Sequence, residues 1–248
     1  MTFFSNLFGK GKQKSPVDLS LLEVDMHSHI LPYIDDGAED FSASVEMVRQ
    51  LSGLGYRKLI TTPHIMSDTY KNTPQTILKV KEELDDELKK AGVHTEVAVA
   101  AEYLLDDGLL EHIEKYQIMT LSENYILIEL PYFTEPPNIY DVIFQLNIKG
   151  YKVVLAHPER YLYWYSDFSK FEKLKDRDVL FQLNILTFAN VYQYPTRRIA
   201  ENLVKHGMVD FLGTDIHNQN QFELLEKALY EPVLAKLLES GKLMNHLL

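Results

Sequence analysis

Short apolar runs rich in β-branched and aromatic residues recur along the chain: LLEVDMH, RKLITTPH, HTEVAVAAEY, YILIELP, KVVLAHP, VLFQLNI and MVDFLGTDIH. Each has the length and near-continuous hydrophobicity of a strand buried on both faces. Amphipathic stretches separate them. DFSASVEMVRQLSGLG has Asp40 or Ser42 as its cap, and NTPQTILKVKEELDDELKKAG carries Pro74 in its first turn and Gly92 at its end. Strands alternating with helices predict an α/β fold with a parallel sheet, and seven units fit a (β/α)7 barrel better than an open sheet, which the pattern leaves open. The final stretch, FELLEKALYEPVLAKLLESGKLMNHLL, predicts closing helices interrupted at Pro232. The expected organisation is one domain over residues 17–248, preceded by a flexible arm over residues 1–16.

Composition narrows the classes. At 248 residues, 46% hydrophobic and 25% charged, the chain suits a single globular core, and no apolar run approaches the roughly 18 residues of a membrane span. A formal charge of −11 argues against nucleic acid as a partner. The absence of cysteine excludes disulfides, thiolate metal sites and cysteine nucleophiles, and fits a reducing cytoplasm. In the arm, Phe3, Phe4, Leu7 and Phe8 precede Lys10, Lys12 and Lys14, the reverse of a signal peptide. The same residues raise the hypothesis of peripheral contact with the inner membrane.

The polar residues fall where the strands end. His27 and His29 close the first, His64 the second, Glu102 the third, Glu129 the fourth, His157 the fifth, and Asp215 with His217 the seventh; Asp36 joins from the first loop. A single strand-end histidine is ordinarily structural. In a parallel barrel, however, the C-terminal strand ends share one mouth, so all nine converge. Clustered buried carboxylates cost several kcal/mol each unless cations balance them. Nitrogen and oxygen donors without sulfur suit Mn²⁺, Zn²⁺ or Fe²⁺, and nine ligands exceed what one ion takes, implying two or three.

DMHSHILPYIDDG, TPH, Glu102, Glu129, AHPER and TDIHN together resemble the motifs of the PHP (polymerase and histidinol phosphatase) superfamily, and within it the bacterial metal-dependent protein-tyrosine phosphatases of capsular and exopolysaccharide synthesis. The resemblance spans about residues 20 to 220. It implies a distorted, TIM-like (β/α)7 barrel and a trinuclear centre, most active with Mn²⁺. It also implies a ligand grouping: His27, His29, Glu102 and Asp215 around one ion, Glu102, Glu129 and His157 around or between ions, and Asp36, His64 and His217 around the third. The implied reaction is hydrolysis of phosphotyrosine by a metal-bridged hydroxide, on a tyrosine autokinase controlling polysaccharide synthesis.

Arg160, in AHPERY, is then the candidate to grip the phosphate through its guanidinium fork, with His217 or Asp36 as candidate proton donors. A surface ion pair of Arg160 with Glu159 or Asp167 is the alternative. Relatives often carry a second arginine soon after the last Asp-x-His, and DIHNQNQFELLEK has none, so one phosphate contact is missing or Asn218, Arg197, Arg198 or a loop lysine replaces it. Tyr33 and Tyr161, the latter opening YLYWY, are expected to stack on the substrate ring, packing within the protein being the competing role. A small-molecule phosphatase of the histidinol phosphatase type and a catalytically weakened regulatory module are the alternatives. His94, His112, His206 and His246 receive no role.

Overall fold

The computed structural model describes residues 15–189 and 194–248. The expected arm over residues 1–16 lies outside them except for Ser15 and Pro16. Strands and helices alternate in the order β1 (Val24–Asp25), α1 (Phe41–Gly53), β2 (Lys58–Thr61), β3 (His64–Ile65), α2 (Pro74–Lys90), β4 (Glu96–Val99), β5 (Glu102–Leu104), α3 (Leu109–Lys115), β6 (Tyr125–Glu129), α4 (Ile139–Ile148), β7 (Lys152–Ala156), α5 (Ser169–Lys175), β8 (Leu180–Asn184), α6 (Tyr194–Lys205), β9 (Phe211–Gly213), α7 (Phe222–Ala228) and α8 (Pro232–Glu239). Every strand pairing is parallel, as helical crossovers require.

Caps follow the sequence signals. Asp40 accepts from the amide of Ala43 at 2.8 Å to start α1. Thr73 and Thr76 exchange a reciprocal pair of bonds around Pro74 to start α2. Pro232 opens α8 at its first turn.

Two expected strands are each broken. RKLITTPH divides into β2 and β3 at Thr62-Pro63, and HTEVAVAAEY into β4 and β5 at Ala100-Ala101, so hydrogen bonding forms two sheets, β1-β2-β4 and β3-β5-β6-β7-β8-β9. Pro63 has no N–H to donate to a ladder. The chain steps there, and single bonds bridge the gap: Thr62 N to Ser28 O at 2.7 Å, Ala100 N to Thr61 O at 2.9 Å and Glu102 N to Pro63 O at 3.1 Å.

The first and last strands meet at a seam. Ser28 pairs in parallel with Ile216, Asp215 N donates to His27 O at 2.8 Å, and His29 N donates to Ile216 O at 2.9 Å. Below it, the buried Asp25 carboxylate accepts from the amide and hydroxyl of Thr214 at 2.9 and 2.6 Å.

Side-chain alternation divides the core in two. On β6, Ile126 and Ile128 join the cluster beneath the helices, while Tyr125 and Leu127 pack with Val24, Met26, Val154, Ala156 and Phe211 in a smaller inner cluster. Glu129 has the parity of Tyr125 and Leu127, which directs it to the inner face at the strand's C-terminal end. Among the described residues no helix is long and apolar enough to cross a membrane.

Gly213 ends β9 against this seam. A Cβ there would lie 2.7 Å from the Cβ of His27 and 2.8 Å from the amide nitrogen of Gln182. Overpacking of this kind costs about 2 kcal/mol. Gly213→Ala is therefore expected to lower the urea unfolding midpoint by a corresponding amount; a wild-type midpoint would contradict the packing described.

Candidate metal centre

β1 ends at Asp25, and His27 and His29 follow it two residues apart, on either side of Ser28, which bridges to Ile216. Their Nε2 atoms point to one place, 3.4 Å apart. The turn that follows fixes His29: its Nδ1 lies 2.8 Å from Asp35 Oδ2, while Asp35 also accepts from Gly37 N at 2.9 Å and His64 N at 3.1 Å. A Cβ on Gly37 would come within 2.2 Å of His29 O, so only glycine fits.

Around this pair the other predicted residues gather. His27 Nε2 is 3.2 Å from Glu102 Oε2 and 3.3 Å from Asp215 Oδ1, and His29 Nε2 is 3.4 Å from both oxygens. His157 Nε2 is 2.9 Å from Glu102 Oε1. His64 presents Nδ1 to Glu102 Oε2 and Glu129 Oε1, each at 3.1 Å, and Nε2 to Asp36 Oδ1 at 3.5 Å. His217 Nε2 is 3.7 Å from the same Asp36 oxygen. All nine converge. Asp36 alone is largely exposed; His27, His29, Glu102, Glu129 and His157 are completely buried.

Four groups have donor atoms close enough to share an ion: His29, Asp36, His64 and His217; His27, His29 and Asp215; His27, Glu102 and His157; and His64, Glu102 and Glu129. The division differs from the one the resemblance implied. His29 also joins the Asp36 group, and Glu129 groups with His64 while His157 groups with His27; Glu102 belongs to two groups. Buried polar atoms are almost always hydrogen-bonded, yet His64 Nδ1, Glu102 Oε2 and Glu129 Oε1 have no hydrogen-bond partner. Buried nitrogen and oxygen donors that converge in this way without satisfying one another's hydrogen bonding fit divalent cations.

Without metal, protons partly take the cations' place. Burial opposes the charged form of His27, but the carboxylates of Glu102 and Asp215 overcome it and hold the imidazole up to about 9. Burial likewise opposes ionisation of Glu102 and Asp215, yet His27 and its neighbours hold both well below the usual carboxylate range. His217 moves the other way: burial and then the positive charge of His29 push it down to about 4.

The cluster floors a cavity of about 410 Å³ lined by Asp36, Glu129, His157, Asp215 and His217 together with Tyr70, Tyr132, Arg160 and Asn218. Arg160 points into it, with Nη1 3.3 Å from Asp215 Oδ2, which corrects the alternative of a surface pair with Glu159 or Asp167. Asn218 lines the cavity while its side chain accepts from Asn220 N at 3.1 Å. Two expectations are corrected. Tyr161 is fully buried, its hydroxyl accepting from Leu130 N at 2.8 Å and donating to Ala156 O at 3.1 Å, so it is a core residue. Tyr33 is 67% exposed and packs edge-on against Phe41, outside the cavity lining. Nor do Arg197 and Arg198 reach the cavity: Arg197 binds Phe188 O, Glu201 and Glu231, and Arg198 faces Glu201.

The CpsB/CapC family model of capsular polysaccharide synthesis matches residues 23–229. The chain belongs to this family. It is 29% identical over 230 residues to the tyrosine-protein phosphatase YwqE of Bacillus subtilis (strain 168), covering 89% of this chain and 91% of the relative. Over 204 residues it is 24% identical to the tyrosine-protein phosphatase CpsB of Streptococcus agalactiae serotype III (strain NEM316), covering 79% and 83%. A solved structure among those of YwqE from Bacillus subtilis and CpsB from Streptococcus pneumoniae, unique metal-dependent tyrosine phosphatases, matches with a TM-score of 0.75 and 28% identity, covering 88% of this chain and 87% of that one.

In this CpsB/CapC-family protein the strand without a predicted ligand, β8, supplies the groups that orient two others. Gln182 Oε1 accepts from His27 Nδ1 at 2.8 Å, Gln182 Nε2 donates to Asn184 Oδ1 at 2.8 Å, and Asn184 Nδ2 donates to Asp215 Oδ2 at 2.6 Å. With Nδ1–H committed to Gln182, Nε2 is the nitrogen that faces the carboxylates; it carries the extra proton without metal and offers its lone pair once that proton is displaced. Alternate polar positions in VLFQLNI were the legible signal for both amides. Asp35, beside the predicted Asp36, was hidden by adjacency, and Tyr70 and Tyr132 carried no pattern that distinguished them.

A metal must displace the proton that His27 holds at neutral pH. Titration of chelated protein with Mn²⁺ at pH 7, in buffers of different ionisation enthalpy, is expected to show net proton release and an apparent affinity that weakens as pH falls from 8 to 6. Binding without proton release would contradict the charge distribution described.

Proposed function

We propose that this CpsB/CapC-family chain is a metal-dependent protein-tyrosine phosphatase, a phosphoric monoester hydrolase acting on phosphotyrosine in a protein. The observation that carries the reading is the set of buried, unpartnered donor atoms of His64, Glu102 and Glu129 at the floor of an arginine-bearing cavity. Family membership and the named relatives support the same activity. The finer reading assigns His27, His29, Asp36, His64, Glu102, Glu129, His157, Asp215 and His217 as ligands of two or three divalent ions, Mn²⁺ first, with Fe²⁺ or Zn²⁺ as substitutes. Such ions lower the pKa of coordinated water to roughly 7 and neutralise phosphoryl charge. The two sheets and the seam from Ser28 to Ile216 support a distorted, TIM-like (β/α)7 barrel.

The chain's own residues do the rest. Arg160, at the mouth, pairs its planar fork with phosphate oxygens, exchanging its contact with Asp215 for the substrate. Among the described residues it is the one arginine lining the cavity, and no lysine lines it, so a single side-chain cation answers the phosphate charge there. His217, neutral at pH 7, offers a lone pair instead of a proton, which suits a ligand better than an acid. A phenolate leaving group, with a pKa of roughly 10, leaves without a dedicated acid. Asp36, exposed at the rim, remains available to assist.

The substrate proposed is a tyrosine autokinase governing capsular or exopolysaccharide synthesis, met in the cytoplasm at the inner membrane. Lack of cysteine fits that reducing compartment, and the net charge of −11 disfavours nucleic acid.

Chelated protein given back Mn²⁺ is expected to release phosphate from a phosphotyrosine peptide faster than from histidinol phosphate. His157→Ala should reduce turnover at least about 100-fold, and Arg160→Ala should chiefly raise KM, since it grips ground and transition states alike. Preference for histidinol phosphate would move the assignment to the small-molecule class, and no turnover of either would favour a regulatory module.

A further inference from the structure

Arg160 is not held by Asp215 alone. Its guanidinium carbon lies 4.4 Å from the ring centroid of Tyr132, the third residue beyond Glu129 in the loop that leaves β6. The Tyr132 hydroxyl donates to Glu129 Oε2 at 3.2 Å. Its ring stacks on the buried Tyr161 at 6.2 Å and 26°, and Tyr161 is itself tied to β6 and β7 through Leu130 N and Ala156 O. One phenol thus touches the phosphate-gripping arginine with its face and the carboxylate cluster with its edge.

We propose that Tyr132 is a positioning residue with two separable tasks: it sets the plane of Arg160 toward a phosphate ester, and it fixes which Glu129 oxygen faces the metal cluster. This rests on the phosphatase reading above and goes beyond it. A cation–π contact to the ring face holds the guanidinium over Tyr132 while the N–H groups turned away from the ring stay available to an anion, so it orients the fork without competing for it. That matters because, among the described residues, no second arginine or lysine lines the cavity to share the phosphate. At the other contact, Glu129 Oε2 is occupied by the Tyr132 hydroxyl, and Oε1 is the oxygen that lies 3.1 Å from His64 Nδ1 with no hydrogen-bond partner. A hydroxyl that selects one carboxylate oxygen orients a metal ligand as outer partners generally do.

Tyr132→Phe and Tyr132→Met separate the tasks in the full chain loaded with Mn²⁺, with para-nitrophenyl phosphate as substrate and inorganic phosphate as competitor. Phe keeps the ring: KM and the phosphate inhibition constant are expected to stay within about twofold, while metal retained after dialysis against chelator falls and the Mn²⁺ requirement rises about tenfold. Met loses both: KM and the inhibition constant are expected to rise about tenfold, with a smaller change in kcat. In an Arg160→Ala background, Tyr132→Met should raise KM no further, because it acts through the arginine. A full additional rise in that background, or Phe matching Met in KM, overturns the first task; wild-type metal retention in the Phe variant overturns the second. If the wild type hydrolyses no aryl phosphate, the phosphatase reading falls too. If it does, and Arg160→Ala but not Tyr132→Met raises KM, this inference alone falls.

Discussion

Three completely or almost completely buried carboxylates, Glu102, Glu129 and Asp215, face one another across a few ångströms at the C-terminal end of the sheets. Their mutual repulsion and lost hydration are the constraint around which the rest is arranged. Each would cost several kcal/mol without compensation. Five imidazoles supply lone pairs or protons between them, and the amides of Gln182 and Asn184 hold the directions. Elements distant in sequence, from β1 to β9, are committed to one another by this charge cluster as much as by the apolar layers.

The backbone bends to serve it. His157 and Asp215 both adopt left-handed conformations, with φ of 32° and 52°, which cost L-residues about 1 kcal/mol or more each. These turns follow β7 and β9; the one at His157 lets its side chain swing inward where a continued strand would send it to the face of Val153 and Leu155, while Asp215 keeps the inward parity of Phe211. Pro63 interrupts the second strand directly before His64, and Gly37 and Gly213 permit approaches that any Cβ would block. Left-handed residues also precede β1, β6 and β8, at Glu23, Glu123 and Asp178, but those at His157 and Asp215 are the ones that carry ligands.

Much of this could be seen in the chain itself, for a physical reason. A charged or imidazole side chain at the end of an apolar strand is expensive, so eight of them in register with the strand ends, with Asp36 in the first loop, pointed to one shared polar site. Parallel topology and the helix caps at Asp40 and Thr73 were legible because hydrophobic period and capping chemistry are local. The strand breaks were not, since Ala100-Ala101 looks like any buried pair and its interruption follows from Pro63 on the neighbouring strand. Tyr161 is buried and Tyr33 is exposed, neither lining the cavity as expected, because the burial of a loop aromatic depends on what packs over it. Tyr132 was invisible for the same reason: its importance lies in touching Arg160 and Glu129 at once.

Diffraction from Mn²⁺-soaked crystals on both sides of the manganese absorption edge tests the central claim most directly. Anomalous peaks between His64, Glu102 and Glu129, with at least one more against His27 and Asp215, are the predicted result. No peak within this cluster, or peaks only at exposed carboxylates, would contradict the account.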